Sequence, residues 1–225
     1  MGNPRPKPVA KELAMAPVSK TAPQELHSAL ASLGRSIAML SAAHQYRDPF
    51  TVQHQHRTAE LSAAIALDLG LSVSEIAVLR LAASVHDIGK IAVPTEILFR
   101  PDALSDLEYA VIKTHSPIGK AILEHLESPF AVAEIVAQHH ERLDGSGYPC
   151  GLKAADILPQ ARILAVADVF DAMTSKRPYR DGLPTDFVLG KLQEMAGRLL
   201  DADAVAACQR HILRRDAAPL TAFPM

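Results

Sequence analysis

Ala161-Arg-Ile-Leu-Ala-Val-Ala-Asp168-Val-Phe170 lies within a stretch, Pro159 to Met173, where nearly every residue is apolar. A helix of that composition has no polar face to turn toward water, so it is expected to be buried on all sides. Asp168 stands in its middle, where a bare carboxylate would destabilise the fold by something on the order of several kcal/mol. Burial becomes tolerable if the charge meets a cation. Two candidates are open: an arginine such as Arg162, or a metal ion held with other side chains.

Working outward, the remaining pattern is helical. Ala and Leu are abundant, β-branched runs are few, and there is no Trp, so the core must be aliphatic. Leu30, Leu33, Ile37 and Leu40 form one apolar seam over His27 to Tyr46. That seam packs on its own domain or forms a homodimer through the 27–46 helix. A second helix follows Arg47-Asp48-Pro49 and ends at Gly70, a residue suited to a left-handed cap. Its buried face is marked by Leu61, Ile65 and Leu69. Ser72 with Glu75, and Ser105 with Glu108, read as capping boxes. They open helices that carry Ile76, Leu79 and Ala83, then Leu107 and Val111, inward. Pro117 breaks the second of these or starts a fresh helix with Ile118, Ile122 and Leu126. Val132, Ile135 and Val136 place another at 130–140, the stretch Asp144-Gly-Ser-Gly-Tyr-Pro149 is a loop, and two helices near 185–196 and 202–214 close the chain. The expectation is an all-α, compact domain of roughly seven helices over 23–225, preceded by a flexible tail or linker stub at 1–22.

The chain has ten histidines, and register singles out four of them together with Asp87. His54 lies seven residues before Leu61, His86 seven after Leu79, Asp87 four after Ala83, His115 four after Val111 and His139 three after Val136. Each therefore continues a buried stripe. His140 follows directly. Neighbours on a helix point about 100° apart, so His139 and His140 suit two ions better than one. The two carboxylate oxygens of Asp87 can bridge ions roughly 3.5–4 Å apart. Nitrogen and oxygen ligands without sulfur suit Fe or Mn, with Zn, Co or Ni also compatible. His27, His44, His56, His125 and His211 are expected outside this set.

Composition narrows the partners. A formal net charge of −2 is not the basic footprint of a polymer-nucleic-acid binder. Cys150 and Cys208 are the only cysteines, which argues against a disulfide framework and excludes a thiolate zinc site. No run approaches the roughly 18 apolar residues of a membrane span, and no signal-peptide core is evident. The expectation is a cytoplasmic protein without a membrane partner.

Three extended motifs occur in order: His86-Asp-Ile-Gly-Lys90, then His139-His-Glu-Arg-Leu-Asp-Gly-Ser-Gly-Tyr-Pro149, then Ala167-Asp-Val-Phe-Asp-Ala-Met-Thr-Ser-Lys-Arg-Pro-Tyr-Arg180. With Arg47-Asp-Pro-Phe-Thr51, His54 and Lys113-Thr-His115, they resemble the HD-GYP domain, a branch of the HD phosphohydrolases, from about Arg47 to about Val205. The resemblance implies an all-α domain with a bi- or trinuclear metal centre that hydrolyses cyclic di-GMP to linear pGpG and/or GMP. It implies one ion on His54, His86 and Asp168, another on His115, His139 and His140, and Asp87 between them. Lys90 matches the family's catalytic lysine, and Arg177 and Arg180 match substrate-phosphate contacts. The glycine-rich loop is linked in the family to contacts with diguanylate cyclase domains, although Tyr148 and its glycines can also serve only to shape a turn. Members with three metals carry a glutamate four residues before the first histidine. Phe50 stands there and cannot ligate, so a binuclear site is expected.

Two divalent ions would provide hydroxide near neutral pH to attack phosphorus in line with the leaving 3′-oxygen. Lys90 would bind the phosphate or protonate that oxygen, its plainer role being a cation at a helix end. Two alternatives stand beside this reading. One is a hydrolase of another cyclic or linear dinucleotide, and the other is a regulatory protein-interaction module with little turnover.

Overall fold

A computed structural model describes residues 23–100, 102–176 and 181–217. Among them the chain is helical and contains no strand. In order the helices are α1 (Pro23–Gln45), α2 (Pro49–Asp68), α3 (Val73–Ala83), α4 (Thr95–Leu98), α5 (Asp106–Lys113), α6 (His115–Glu124), α7 (Val132–Gln138), α8 (Pro159–Thr174), α9 (Thr185–Met195) and α10 (Ala202–Ala217), with a 3-10 turn at Ile88–Ala92. The segment read as a tail, 1–22, lies outside the described residues.

The all-helical expectation holds, and the chain divides more finely than about seven helices. α4 is a single turn. Between α5 and α6 the break falls at Thr114, so Pro117 stands in the first turn of α6, where its missing N–H removes no helical bond. Both capping boxes form: Ser72 with Glu75 opens α3, and Ser105 with Glu108 opens α5. Gly70 takes φ +77° just past α2, the left-handed cap its position suggested.

α8 is the central helix, packed against α2, α3, α7, α9 and α10. Ala161, Ile163, Leu164, Ala165, Val166, Ala167 and Phe170 are all buried, which is why this segment needed no polar face. Leu61 and Ile65 of α2 and Leu79 and Ala83 of α3 join the same core. Leu33 and Ile37 of α1 are buried in it too, with Leu30 and Leu40 packed alongside, so this seam is covered by its own domain.

One expectation fails. Leu107 is 82% exposed rather than inward. α5 is only eight residues long and holds no buried residue. It lies on the surface, and the (i, i+4) relation to half-buried Val111 does not extend the core to its first turn.

Gly89 is required by packing. A Cβ there would lie 2.0 Å from the carbonyl oxygen of His115 and 2.6 Å from the Gly119 nitrogen. The 3-10 turn after Asp87 can therefore lie directly on the start of α6, which brings the His86-Asp87 and His115 segments together.

Candidate metal centre

Three imidazoles are set by one device. His86, His115 and His139 stand at or just past the C-terminal ends of α3, α5 and α7, where the last carbonyls of a helix have no partner within it. Each ring donates its Nδ1–H to the carbonyl three residues earlier: His86 to Ala83 at 2.8 Å, His115 to Ile112 at 2.7 Å and His139 to Val136 at 2.6 Å. A carbonyl can only accept, so a proton sits on each Nδ1, and the tautomer this selects is the one that carries its lone pair on Nε2. All three rings are buried.

His54, on α2, is set differently. Its Nδ1 is 2.6 Å from Asp171 Oδ2 and its Nε2 is 3.0 Å from Asp168 Oδ1. Arg57 fixes Asp171 in turn, its Nε–H and Nη2–H donating at 2.7 and 2.9 Å, and the Ser175 hydroxyl donates to it at 3.0 Å. Burial opposes charge on His54, but the two carboxylates outweigh it and lift its pKa to about 9. Asp171 itself is held at about 2, against the upward push of burial, by His54 and Arg57. Without a metal, a proton on His54 is the cation that these carboxylates hold.

The other ligands close around the same space. Asp168 Oδ1 lies 3.6 Å from His86 Nε2, and Asp168 Oδ2 lies 3.9 Å from His140 Nδ1. Arg162, the competing partner, instead faces Asp201 at 3.6 Å and donates to the Ile157 carbonyl. Asp87 is buried with Oδ1 3.4 Å from His115 Nε2 and Oδ2 3.6 Å from His86 Nε2. Its Oδ2 also accepts from Lys90 Nζ at 2.6 Å. Although burial pushes it upward, Lys90 and the surrounding imidazoles hold the Asp87 carboxyl well below its usual range. The buried Gln55 amide braces this turn, accepting from the Asp87 N–H at 3.0 Å and donating to the Ser84 carbonyl at 3.2 Å.

The donor set fits divalent ions. His86 Nε2 is buried and has no hydrogen-bond partner among the described residues. His115 Nε2 and His139 Nε2 face each other at 3.4 Å, and with both protons committed to carbonyls these are two lone pairs in opposition. Burial first, then neighbouring imidazoles, push His139 far below its usual pKa, and burial takes His140 down to about 3. Protons are thus a poor remedy for these rings, and a Lewis acid is the natural one. Ligand atoms within 4.8 Å of one another form three overlapping groups: Asp87, His115, His139 and His140; His54, His86 and Asp87; and His86, His139 and Asp168. Asp87 belongs to two of them.

All seven side chains singled out in the sequence therefore meet at one place, with Lys90 beside Asp87. Arg177 and Arg180 lie outside the described residues. His27, His56 and His125 are exposed and His211 half-buried, away from the cluster. His44 is buried with neither ring nitrogen partnered among the described residues, and it is in none of the three groups. Phe50 is 56% exposed and offers no ligand. Asp171 and Arg57 escaped the sequence reading. The available signal was that Asp171 sits three residues after Asp168, on the same face of α8.

The loop after His140 is tied to the site. Buried Glu141 accepts from the Cys150 and Leu152 N–H groups at 2.7 and 2.9 Å. A Cβ on Gly147 would meet the His140 carbonyl oxygen and the Arg142 nitrogen at 2.5 Å, so only glycine lets the loop fold back this closely. The return places the Tyr148 ring against His140, centroids 4.7 Å apart. Besides taking part in the turn, the Tyr148 ring therefore packs on His140.

Comparison with known proteins gives a consistent picture. The HD domain family model matches residues 38–204. A cyclic di-GMP phosphodiesterase of Thermotoga maritima is 40% identical over 173 residues, 76% of this chain and 47% of that protein. The 3′3′-cGAMP-specific phosphodiesterase 1 of Vibrio cholerae is 43% identical over 167 residues, 73% of this chain and 39% of that protein. The chain thus spans less than half the length of these two relatives. The solved structure of an HDG"Y"P protein from Bdellovibrio bacteriovorus superposes with a TM-score of 0.64 at 21% identity, covering 84% of this chain and 64% of that one. At that identity the likeness concerns the fold alone.

Proposed function

This chain belongs to the HD domain family, and we propose that it is a binuclear metal-dependent phosphodiesterase that hydrolyses cyclic di-GMP to linear pGpG and/or GMP. The observation that carries the reading is the set of inward Nε2 lone pairs around two buried carboxylates. His54, His86 and Asp168 would hold one ion, His115, His139 and His140 the other, and Asp87 both. Fe or Mn suits these ligands, with Zn, Co or Ni compatible. Divalent ions held there would supply a nucleophile at neutral pH and offset charge on the phosphate oxygens.

The chain's own residues have distinct tasks. The carbonyl-held imidazoles keep the tautomer that leaves Nε2 free, and Asp171 does the same for His54. Lys90, already placed by its hydrogen bond to Asp87, would give its proton to the leaving 3′-oxygen. Arg177 and Arg180 would bind substrate phosphate. The loop at 144–150 exposes Asp144, Ser146, Pro149 and Cys150, which suits it to contact a diguanylate cyclase domain. A homodimer through 27–46 would have to use a face of α1 other than its buried seam. No described helix is long and apolar enough to cross a membrane. The domain is assigned to 23–225, with 1–22 as its tail.

A second reading, hydrolysis of another cyclic or linear dinucleotide, is favoured by the likeness to the cGAMP-specific relative. Both are tested by anaerobic purification, loading with Fe or Mn, and chromatography of products from cyclic di-GMP, 3′3′-cGAMP and pGpG. Turnover greatest on cyclic di-GMP is expected. Turnover mainly on another dinucleotide would transfer the assignment to the second reading. A fully metallated protein inert on all three would point to a regulatory interaction module.

A further inference from the structure

Outside the metal ligands, the densest unassigned chemistry lies at the mouth of a cavity of about 470 Å3. Its wall includes buried Asp168, half-buried His140, Lys113, Arg142 and Tyr148, and exposed Tyr109. The Lys113 ammonium stands 4.6 Å from the centre of the Tyr109 ring and 5.5 Å from that of Tyr148. Tyr109 is one turn before Lys113 on α5, a helix fixed at its start by the Ser105–Glu108 box. Tyr148 is braced from behind by His140. The cation is thus held between two rings that come from different segments.

Its charge is not neutralised there. Lys113 has no carboxylate partner among the described residues, and Asp168, the one acid in this wall, is turned to the imidazoles. Arg142, the other cation, already donates its Nη1–H to the His139 and Glu141 carbonyls. A cation over aromatic faces is steered without being satisfied, and its N–H groups remain free to donate to an anion. A plain helix-end role, complementing the α5 dipole, accounts for a lysine at this position but not for two tyrosines around it.

We propose that Lys113 binds the second, non-scissile phosphate of a cyclic dinucleotide, with Tyr109 and Tyr148 as positioning residues. This rests on the cyclic-dinucleotide reading of the same site. Such a substrate carries two phosphodiesters. When one is at the ligand cluster, the other enters the outer part of the cavity and loses water, so it needs a fixed cation. Lys113 is the cation in that wall with no carboxylate or carbonyl to hold it.

The test compares metal-loaded parent, Lys113→Gln and Lys113→Arg on cyclic di-GMP and on bis(p-nitrophenyl) phosphate, which has a single phosphodiester. Lys113→Gln should raise KM for cyclic di-GMP about tenfold to a hundredfold, the range for a hydrogen bond to a charged group, with kcat much less affected. The ratio of kcat/KM between the two substrates should fall by about the same factor, and Lys113→Arg should restore most of it. An unchanged KM, or an equal loss on both substrates, would overturn the assignment of Lys113 while leaving the phosphodiesterase reading standing. A parent that cleaves bis(p-nitrophenyl) phosphate but no cyclic dinucleotide would instead remove the reading beneath it.

Discussion

Replacing Asp171 by Asn tests whether one ion depends on a carboxylate that ligates nothing. The side chain is buried, and its two oxygens accept from His54, Arg57 and Ser175 at 2.6–3.0 Å. Asn keeps the volume, but one oxygen becomes an NH2 group, and either choice sets a donor against a donor. A hydrogen bond to a charged group contributes about 1.5–3 kcal/mol. Removing an outer partner of a metal-bound imidazole typically weakens metal affinity about 10–100-fold, equivalent to about 1.4–2.8 kcal/mol. The two figures agree, so Asp171→Asn should weaken one ion by about 10–100-fold. The group formed by Asp87, His115, His139 and His140 makes no use of Asp171, so the other ion should be retained. Competition against a chromophoric chelator, with metal counted per chain, reads this as two ions in the parent and one tight ion in the variant. Affinity within about twofold of the parent, or equal loss of both ions, would refute the reasoning. A well-occupied third ion in the parent would refute the reading of Phe50.

Asp87→Ala should lose activity and most bound metal, because each ion is then short of a ligand and mutual repulsion is uncovered; full metal content with normal turnover would remove Asp87 from the centre. Lys90→Ala should keep both ions while kcat drops about 10²–10⁴-fold, and a parent-like rate would end its role as the acid. In the metal-free protein, His54 is lifted from 6.5 to about 9, so its contribution, about 3 kcal/mol, is fully present below pH 6.5 and lost as pH rises through about 9. His115, His139 and His140 are depressed and act oppositely, losing stability as pH falls below 6.5. Urea unfolding of metal-free protein from pH 5 to 10 should therefore show a maximum near pH 6.5–7, and a monotonic profile would contradict these assignments.

Much of this site was legible because polar side chains stand where the pattern calls for buried ones, and a polar side chain there needs a reason to be there. Asp168 is the clearest instance, since an apolar helix on all sides leaves it only a cation for company. His115 was reached by a step that the structure corrects. It does follow Val111 by four residues, but α5 ends before it, and its burial comes from the start of α6 lying on Gly89. Leu107 shows the same limit, because periodicity identifies a face but not whether anything covers it. Asp171 and Lys113 stand in the quoted motifs, but what they contact is not legible there, for another reason. Their partners lie across the fold, His54 and Arg57 on α2 and Tyr148 in the loop, and the spacings to Asp168 and Tyr109 mark a shared helix face but not what meets it.

The two ways of holding an imidazole make the halves of the site unequal. His86, His115 and His139 are oriented by carbonyls at the ends of their own helices, groups that exist whatever side chains surround them. Their tautomer is set as soon as those helices form, and no single substitution elsewhere removes the acceptor. His54 is held by Asp171, which is held by Arg57, and both partners are side chains. Its proton can leave only when something else answers Asp168. Loading of the ion proposed for His54, His86 and Asp168 should therefore release a proton below about pH 9, whereas the His115, His139 and His140 group is already deprotonated at neutral pH. The His115, His139 and His140 group, two of whose rings are carbonyl-held, should fill first on titration with metal. The His54 group should fill second, more weakly as pH falls, and with a proton released that calorimetry in buffers of different ionisation enthalpy would count. Filling in the reverse order at pH 7 would show that the carboxylates, not the preset lone pairs, decide where the first ion goes.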